Sequence, residues 1–158
     1  MNIIIAPHFD DEIIGCFELI INPDFKCNII YTHIEYDQRL HESKNLKDVL
    51  PNIEKQSVNR FLQPCSFLLD KNATFYFPDP IYETHPDHRE IGSIGEKLLR
   101  NGSNVIFYSI NMKAPYIHKT KNPQDKEFLL DHIYPSQNDL WKYEKIFILF
   151  EGRCKWLI

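Results

Sequence analysis

Residues 3–6, Ile-Ile-Ile-Ala, are stopped by Pro7 and followed within five positions by an acidic helix start. A short, unbroken apolar run ended by a breaker reads as a strand buried on both faces. Asp10 or Asp11 caps the next segment, and Glu12 adds charge of the sign a helix N-terminus favours. Ile13, Ile14, Phe17, Ile20 and Ile21 then recur at helical spacing. Asn22-Pro23-Asp24 ends that helix, and residues 26–34 supply a second strand centred on Ile29, Ile30 and Tyr31. A β-loop-α-β opening of this kind steers the chain toward an α/β fold, a mostly parallel sheet with helices on both faces.

The later segments continue the alternation. Residues 38–50 predict an amphipathic helix stopped before Pro51, and residues 53–62 a second ending before Pro64. Residues 67–69 and 74–77 are strand-like, after which Pro78-Asp79-Pro80 opens a polar loop reaching His85. Residues 89–100 predict a helix with Ile91, Ile94 and Leu98 on one side. Asn101-Gly102 closes it ahead of a strand at 105–108. Beyond Ser109, residues 112–126 read as irregular, 137–143 as helical and 145–150 as a last strand. No internal repeat is visible, and at about 150 residues per domain, residues 1–158 form one unit.

Charge and apolar content narrow the function. A net charge of −4 with no basic cluster disfavours a nucleic-acid partner. The longest apolar runs fall far short of the ~18–20 residues that cross a bilayer. Residues 1–5 lack a cationic leader, so a cytoplasmic setting is the default expectation. Cys16, Cys27, Cys65 and Cys154 are widely spaced, which suits buried thiols better than a disulfide scaffold or a thiolate metal knuckle. Only 5 glycines are present, so each invites a packing explanation.

Two short segments carry the chemistry. Pro7-His8-Phe9-Asp10-Asp11-Glu12 crowds one imidazole and three carboxylates immediately after the first strand, a repulsive arrangement that a cation would relieve. Thr84-His85-Pro86-Asp87-His88 sets two imidazoles around an aspartate in a second strand-end loop. By itself, the first segment reads as a helix cap and the second as a solvated turn. In a parallel α/β sheet, however, ligands gather at the carboxyl ends of strands, where both segments are expected. Imidazole mixed with carboxylate suits zinc, and an all-oxygen set suits magnesium.

The two motifs resemble those of the LmbE-like/PIG-L zinc deacetylases, whose pattern is an N-terminal Pro-His-Pro-Asp-Asp-Glu and a later His-Pro-Asp-His. The likeness extends to Arg39-x-x-Glu42 and, more weakly, to Tyr134-x-Ser136-Gln137. It implies a single Rossmann-like domain and hydrolysis of an N-acyl group, commonly acetyl on an amino sugar. By this resemblance His8, Asp11 and His88 hold Zn2+ and Asp10 is the general base. His85 stabilises the oxyanion or protonates the leaving amine, and Asp87 orients a histidine through its second ring nitrogen. Arg39 is a substrate contact or a solvated helix-start arginine, with Glu42 beside it. Glu12 is a helix cap or a support behind the ligands.

The chain departs from the pattern at Phe9, where the family has proline. It also departs at Phe17-Glu18, where glycines are common, and ahead of His85, where Tyr82 is the nearest tyrosine. A magnesium phosphohydrolase built on Asp10, Asp11 and Asp87 is the rival hydrolase, and a metal- or sugar-binding module without turnover is the non-enzymatic one. A dinucleotide site is excluded, because no G-x-G-x-x-G follows the first strand.

Overall fold

In the computed structural model, which describes residues 1–33, 39–59 and 70–155 (backbone alone at 39 and 40), the isoleucine run is β1 (Asn2–Ala6). It leads through a short loop into α1 (Asp11–Ile20) and then β2 (Cys27–Tyr31). Next come α2 (Arg39–Glu42), a 3-10 turn, α3 (Leu46–Val49) and β3 (Ile53–Val58). The chain continues as β4 (Thr74–Pro78), α4 (Pro86–Arg100) and β5 (Asn104–Ser109). The last part comprises β6 (His118–Lys119), α5 (Pro123–Ile133), α6 (Asn138–Tyr143), α7 (Ile146–Leu149) and β7 (Phe150–Cys154).

The strands form a seven-stranded sheet in the order β3-β2-β1-β4-β5-β7-β6. β1 to β5 pair in parallel, and β7 and β6 close one side antiparallel. This is an α/β fold with a Rossmann-like arrangement of its parallel strands. The chain winds outward from β1 to β3, then returns to place β4 against the other side of β1. Such a reversal leaves a crevice at the carboxyl ends of the two central strands, because their following loops diverge to opposite faces.

Side-chain alternation along β1 divides the core. Ile4 and Ala6 face a cluster with Ile13, Phe17, Tyr31, Leu130 and Trp141, under α1 and α5. Ile3 and Ile5 face Phe75, Phe77, Ile91, Val105 and Phe107, under α4. Helix α4 lies close to its strand: a methyl group on Gly95 would stand 2.6 Å from the Phe77 ring, and one on Gly92 2.5 Å from the Pro78 carbonyl oxygen. Among the described cysteines Cys16 and Cys27 are buried and Cys154 is partly so; Cys65 lies outside the described residues. No described helix is long and apolar enough to cross a membrane.

Several expected elements differ. Residues 53–58 form a strand rather than the start of a helix, since parallel pairing of Ile53 with Cys27 and of Val58 with Tyr31 overrides a weak helical pattern. The remainder of that expected helix, residues 60–62, and the strand expected at 67–69 lie outside the described residues. The stretch expected to be irregular holds β6 and the start of α5. The apolar run at 146–149 is a helical turn, and the last strand begins only at Phe150, where pairing with β5 and β6 becomes available.

Candidate metal centre

Both motifs sit at the crevice between β1 and β4. The loop after β1 carries His8 and Asp10 into the N-terminus of α1. Asp10 is the N-cap residue and has a left-handed backbone, φ 95°. Left-handed geometry in a non-glycine residue stores about 1–3 kcal/mol and persists only where neighbours enforce it. Glu12 is one such neighbour: its Oε2 accepts the Asp10 amide at 3.1 Å while its Oε1 accepts the Tyr134 hydroxyl at 2.5 Å. Burial raises the pKa of Glu12 to about 7, against the pull of the Tyr134 hydrogen bond. Glu12 thus reaches back to the cap residue from a fully buried position.

The second loop is shaped by Asp79, whose Oδ1 accepts the amides of Ile81 and Tyr82 at 2.7 and 3.0 Å and whose Oδ2 accepts the Tyr116 hydroxyl at 2.6 Å. It delivers His85 as the N-cap of α4, with Pro86 at the first helical position and Asp87 and His88 in the first turn.

Three donor atoms from these loops converge. His8 Nδ1 is 3.3 Å from Asp11 Oδ2, His88 Nε2 is 3.2 Å from the same oxygen, and the two ring nitrogens are 3.3 Å apart. A tetrahedral ion with bonds of about 2.0–2.1 Å spaces its ligand atoms by about 3.3–3.4 Å, so this triangle has the edge length of one face of a zinc site. His85 also offers a ring nitrogen, and those of His8, His85 and His88 lie within 4.8 Å of one another. That wider spacing, and exposure of about half the His85 side chain, make Asp11 the better-placed third ligand.

Each imidazole is oriented from behind by a carboxylate. Asp87 Oδ2 is 2.9 Å from His8 Nε2, which turns His8 Nδ1 toward the shared point. Glu83 Oε2 is 3.1 Å from His88 Nδ1, and the Ser109 hydroxyl donates to Glu83 Oε1 at 2.5 Å. Carboxylates paired in this way with the outer nitrogen of histidine are a regular accompaniment of metal ligation. Asp11 Oδ2 in addition accepts the His8 backbone amide at 2.7 Å.

Electrostatics agree with the geometry. Burial opposes charge on His88, yet Asp11 and Glu83 lift its pKa to about 10. Burial likewise opposes charge on Asp11, but His88 and His8 hold its carboxyl far below the usual carboxylate range. On His8, hydrogen bonds to Asp11 and Asp87 outweigh burial and raise the pKa. His85 goes the other way: burial and the neighbouring charges of His8 and His88 lower its pKa. The field at the shared point favours positive charge, while at the rim burial and the same neighbours disfavour a proton on His85.

A cavity of about 580 Å³ opens from these residues. His8, Asp10, Asp11, Glu83, His85 and His88 line its polar end, and Ile14, Tyr108, Ile110, Leu140, Ile146 and Phe147 its apolar wall. Sequence reasoning passed over Glu83, although it lies five residues before His88 in the same loop. It also passed over the wall built from α6 and α7, and His33, whose ring centroid is 6.3 Å from that of His8. The Arg39 side chain lies outside the described residues. Glu42 accepts the Ser136 amide at 3.2 Å and its hydroxyl at 2.7 Å. The two fainter motif segments are therefore joined.

Family models, curated proteins and solved structures offer no match to this chain. Its functional reading rests on the geometry of the cleft.

Proposed function

We propose that the protein is a zinc-dependent hydrolase that removes an N-acyl group from a small substrate, with an N-acetylated amino sugar or its conjugate as the leading candidate. The supporting observation is the triangle of His8 Nδ1, Asp11 Oδ2 and His88 Nε2, three mixed nitrogen and oxygen donors at 3.2–3.3 Å from one another and open on the cavity side. Three protein ligands with a free position are the mark of a catalytic zinc site. A bound zinc ion supplies Lewis acidity, polarising an amide carbonyl and making a water molecule more acidic.

The chain's own groups supply the remainder. Asp10, at the cavity edge, takes the proton of the water whose oxygen bonds to the amide carbon. His85 Nδ1 faces the Asp87 amide at 3.3 Å, an arrangement that assigns the neutral ring's proton to Nε2. That N–H donates to the carbonyl oxygen as negative charge develops, or protonates the nitrogen as the C–N bond breaks, yielding acetate and a free amine. Asp87 and Glu83 keep the ligand rings aimed. The apolar wall suits the less polar face of a sugar ring or an attached apolar group. No Lys or Arg is among the described lining residues, and Glu144 adds a carboxylate to the wall, which disfavours an anionic substrate.

Magnesium-dependent phosphoryl chemistry has less support, because Asp87 is occupied with the outer nitrogen of His8 and no described Lys or Arg lines the cavity to meet a phosphate. The deciding experiment releases amine from a panel of N-acetyl compounds with and without added zinc, alongside metal quantification. Zinc-stimulated amine release that Asp10→Ala abolishes while retaining the metal is the expected result. Zinc binding without cleavage of any panel member would favour a binding module, and full activity in Asp10→Ala would remove the assigned base.

A further inference from the structure

Helix α1 is not continuous. At Cys16 the backbone leaves helical geometry, φ −130° and ψ 21°. The hydrogen-bond rung that spans this point in a regular helix runs from the Glu18 amide to the Ile14 carbonyl. In this protein the Ile14 carbonyl accepts a hydrogen bond from Lys126 Nζ at 2.6 Å, and the Glu18 amide donates to Glu151 Oε1 at 3.2 Å. Lys126 and Glu151 are themselves paired, Nζ to Oε2 at 3.3 Å, and both side chains are fully buried. The remaining Lys126 donor reaches the Phe150 carbonyl at 3.3 Å, and Arg153 donates to Glu151 Oε1 at 2.5 Å. An ion pair from α5 and β7 thus meets both ends of one rung of α1.

Helix bends have identifiable causes, and insertion of a side chain into the backbone ladder is one of them. The consequence lies at the other end of the helix. Asp11 and Glu12 begin its first turn, Asp10 caps it, and Ile14 and Gly15 line the cavity. The direction of this half helix decides whether Asp11 Oδ2 lies on the triangle with His8 and His88. A buried ion pair contributes little net stability, because desolvation offsets its attraction, whereas its geometry is restrictive.

We propose that Lys126 and Glu151 are positioning residues for the metal centre, bending α1 at Cys16 so that its first turn presents Asp11 to His88. The inference rests on the metal-centre reading, and the test keeps the two apart. The Lys126→Met/Glu151→Gln variant keeps side-chain volume and leaves an acceptor for Arg153 while removing the pair. Ile53→Val, in the edge strand β3, is the control for a small loss of stability. Readouts are the Cys16 backbone torsion from amide couplings, zinc affinity by competition with a chelator, and the visible spectrum of the cobalt-substituted protein.

The expected result is a Cys16 torsion moved to the helical value, zinc affinity lowered about tenfold, the range typical of lost ligand support, and a shifted cobalt spectrum. Ile53→Val should leave all three unchanged. A Cys16 torsion that does not move, or one that moves while zinc affinity and the cobalt spectrum stay as in the parent, overturns the inference and leaves the metal centre standing. Failure of the parent chain to take up zinc overturns the metal-centre reading and the inference with it. Where the double variant does not fold, Glu151→Gln alone carries the test: a several-fold loss of zinc affinity supports positioning and no loss contradicts it.

Discussion

His88 Nε2 and Asp11 Oδ2 lie 3.2 Å apart, although one side chain comes from the first turn of α4 and the other from the first turn of α1. The two helices follow neighbouring parallel strands, β1 and β4, and lie on opposite faces of the sheet. Only at the strand ends can groups from both faces meet.

The orientation of His88 depends on Glu83. Glu83→Gln keeps size and hydrogen-bonding capacity but removes the negative charge facing Nδ1. Loss of such a partner weakens metal binding by about 10–100-fold. A zinc titration against a competing chelator should show this loss with the fold intact by circular dichroism.

Asp10 couples function to strain. Glycine accepts a φ of 95° without steric cost, so Asp10→Gly should raise unfolding free energy by about 1 kcal/mol and abolish amide cleavage. Asp10→Ala keeps the strain and should not stabilise. Urea melts of the two variants check the difference.

Gly15 has no room for a side chain: a methyl group there would stand 2.4 Å from the Tyr108 ring, whose hydroxyl donates to the Ile5 carbonyl at 2.8 Å. Gly15→Ala should cost about 1–3 kcal/mol by overpacking and move Tyr108 into the cavity. Thermal melts and substrate KM together report the two effects.

Stability should rise with pH just above neutrality because of Lys126. Burial, only partly offset by Glu151, lowers its pKa from 10.5 to about 8. Between those values the unfolded chain binds the proton and the folded chain releases it, so unfolding free energy increases with pH across that window and is lowest, for this group, below it. The difference in stability between the parent and Lys126→Met should therefore shift in the parent's favour from pH 7.5 to 9.5 in urea melts.

Much of this architecture is legible along the chain. The run at 3–6, the cap at Asp10 and the Asn101-Gly102 stop depend on local chemistry, and they place both motifs at one sheet edge, whereas the start of α4 at Pro86, with His85 as its cap, precedes the expected start at residue 89. Other parts depend on partners far away. Residues 53–58 become a strand through β2. The apolar run at 146–149 fits strand or helix equally until pairing partners are known. Helix α5 starts with Pro123 in an allowed first position, but Lys126 faces inward and disrupts the amphipathic pattern that would announce it. Glu83 and Glu12 resemble ordinary loop and cap acids until the fold sets them against His88 and Asp10.

The central claim is that His8, Asp11 and His88 share one divalent ion. X-ray absorption at the zinc edge, on protein loaded with one equivalent of zinc, addresses it directly. The account predicts a four-coordinate shell of nitrogen and oxygen at about 2.0–2.1 Å, with outer-shell scattering from two imidazoles that falls when His88 is replaced by Ala. A shell of oxygen alone, or a spectrum unchanged by His88→Ala, would contradict it.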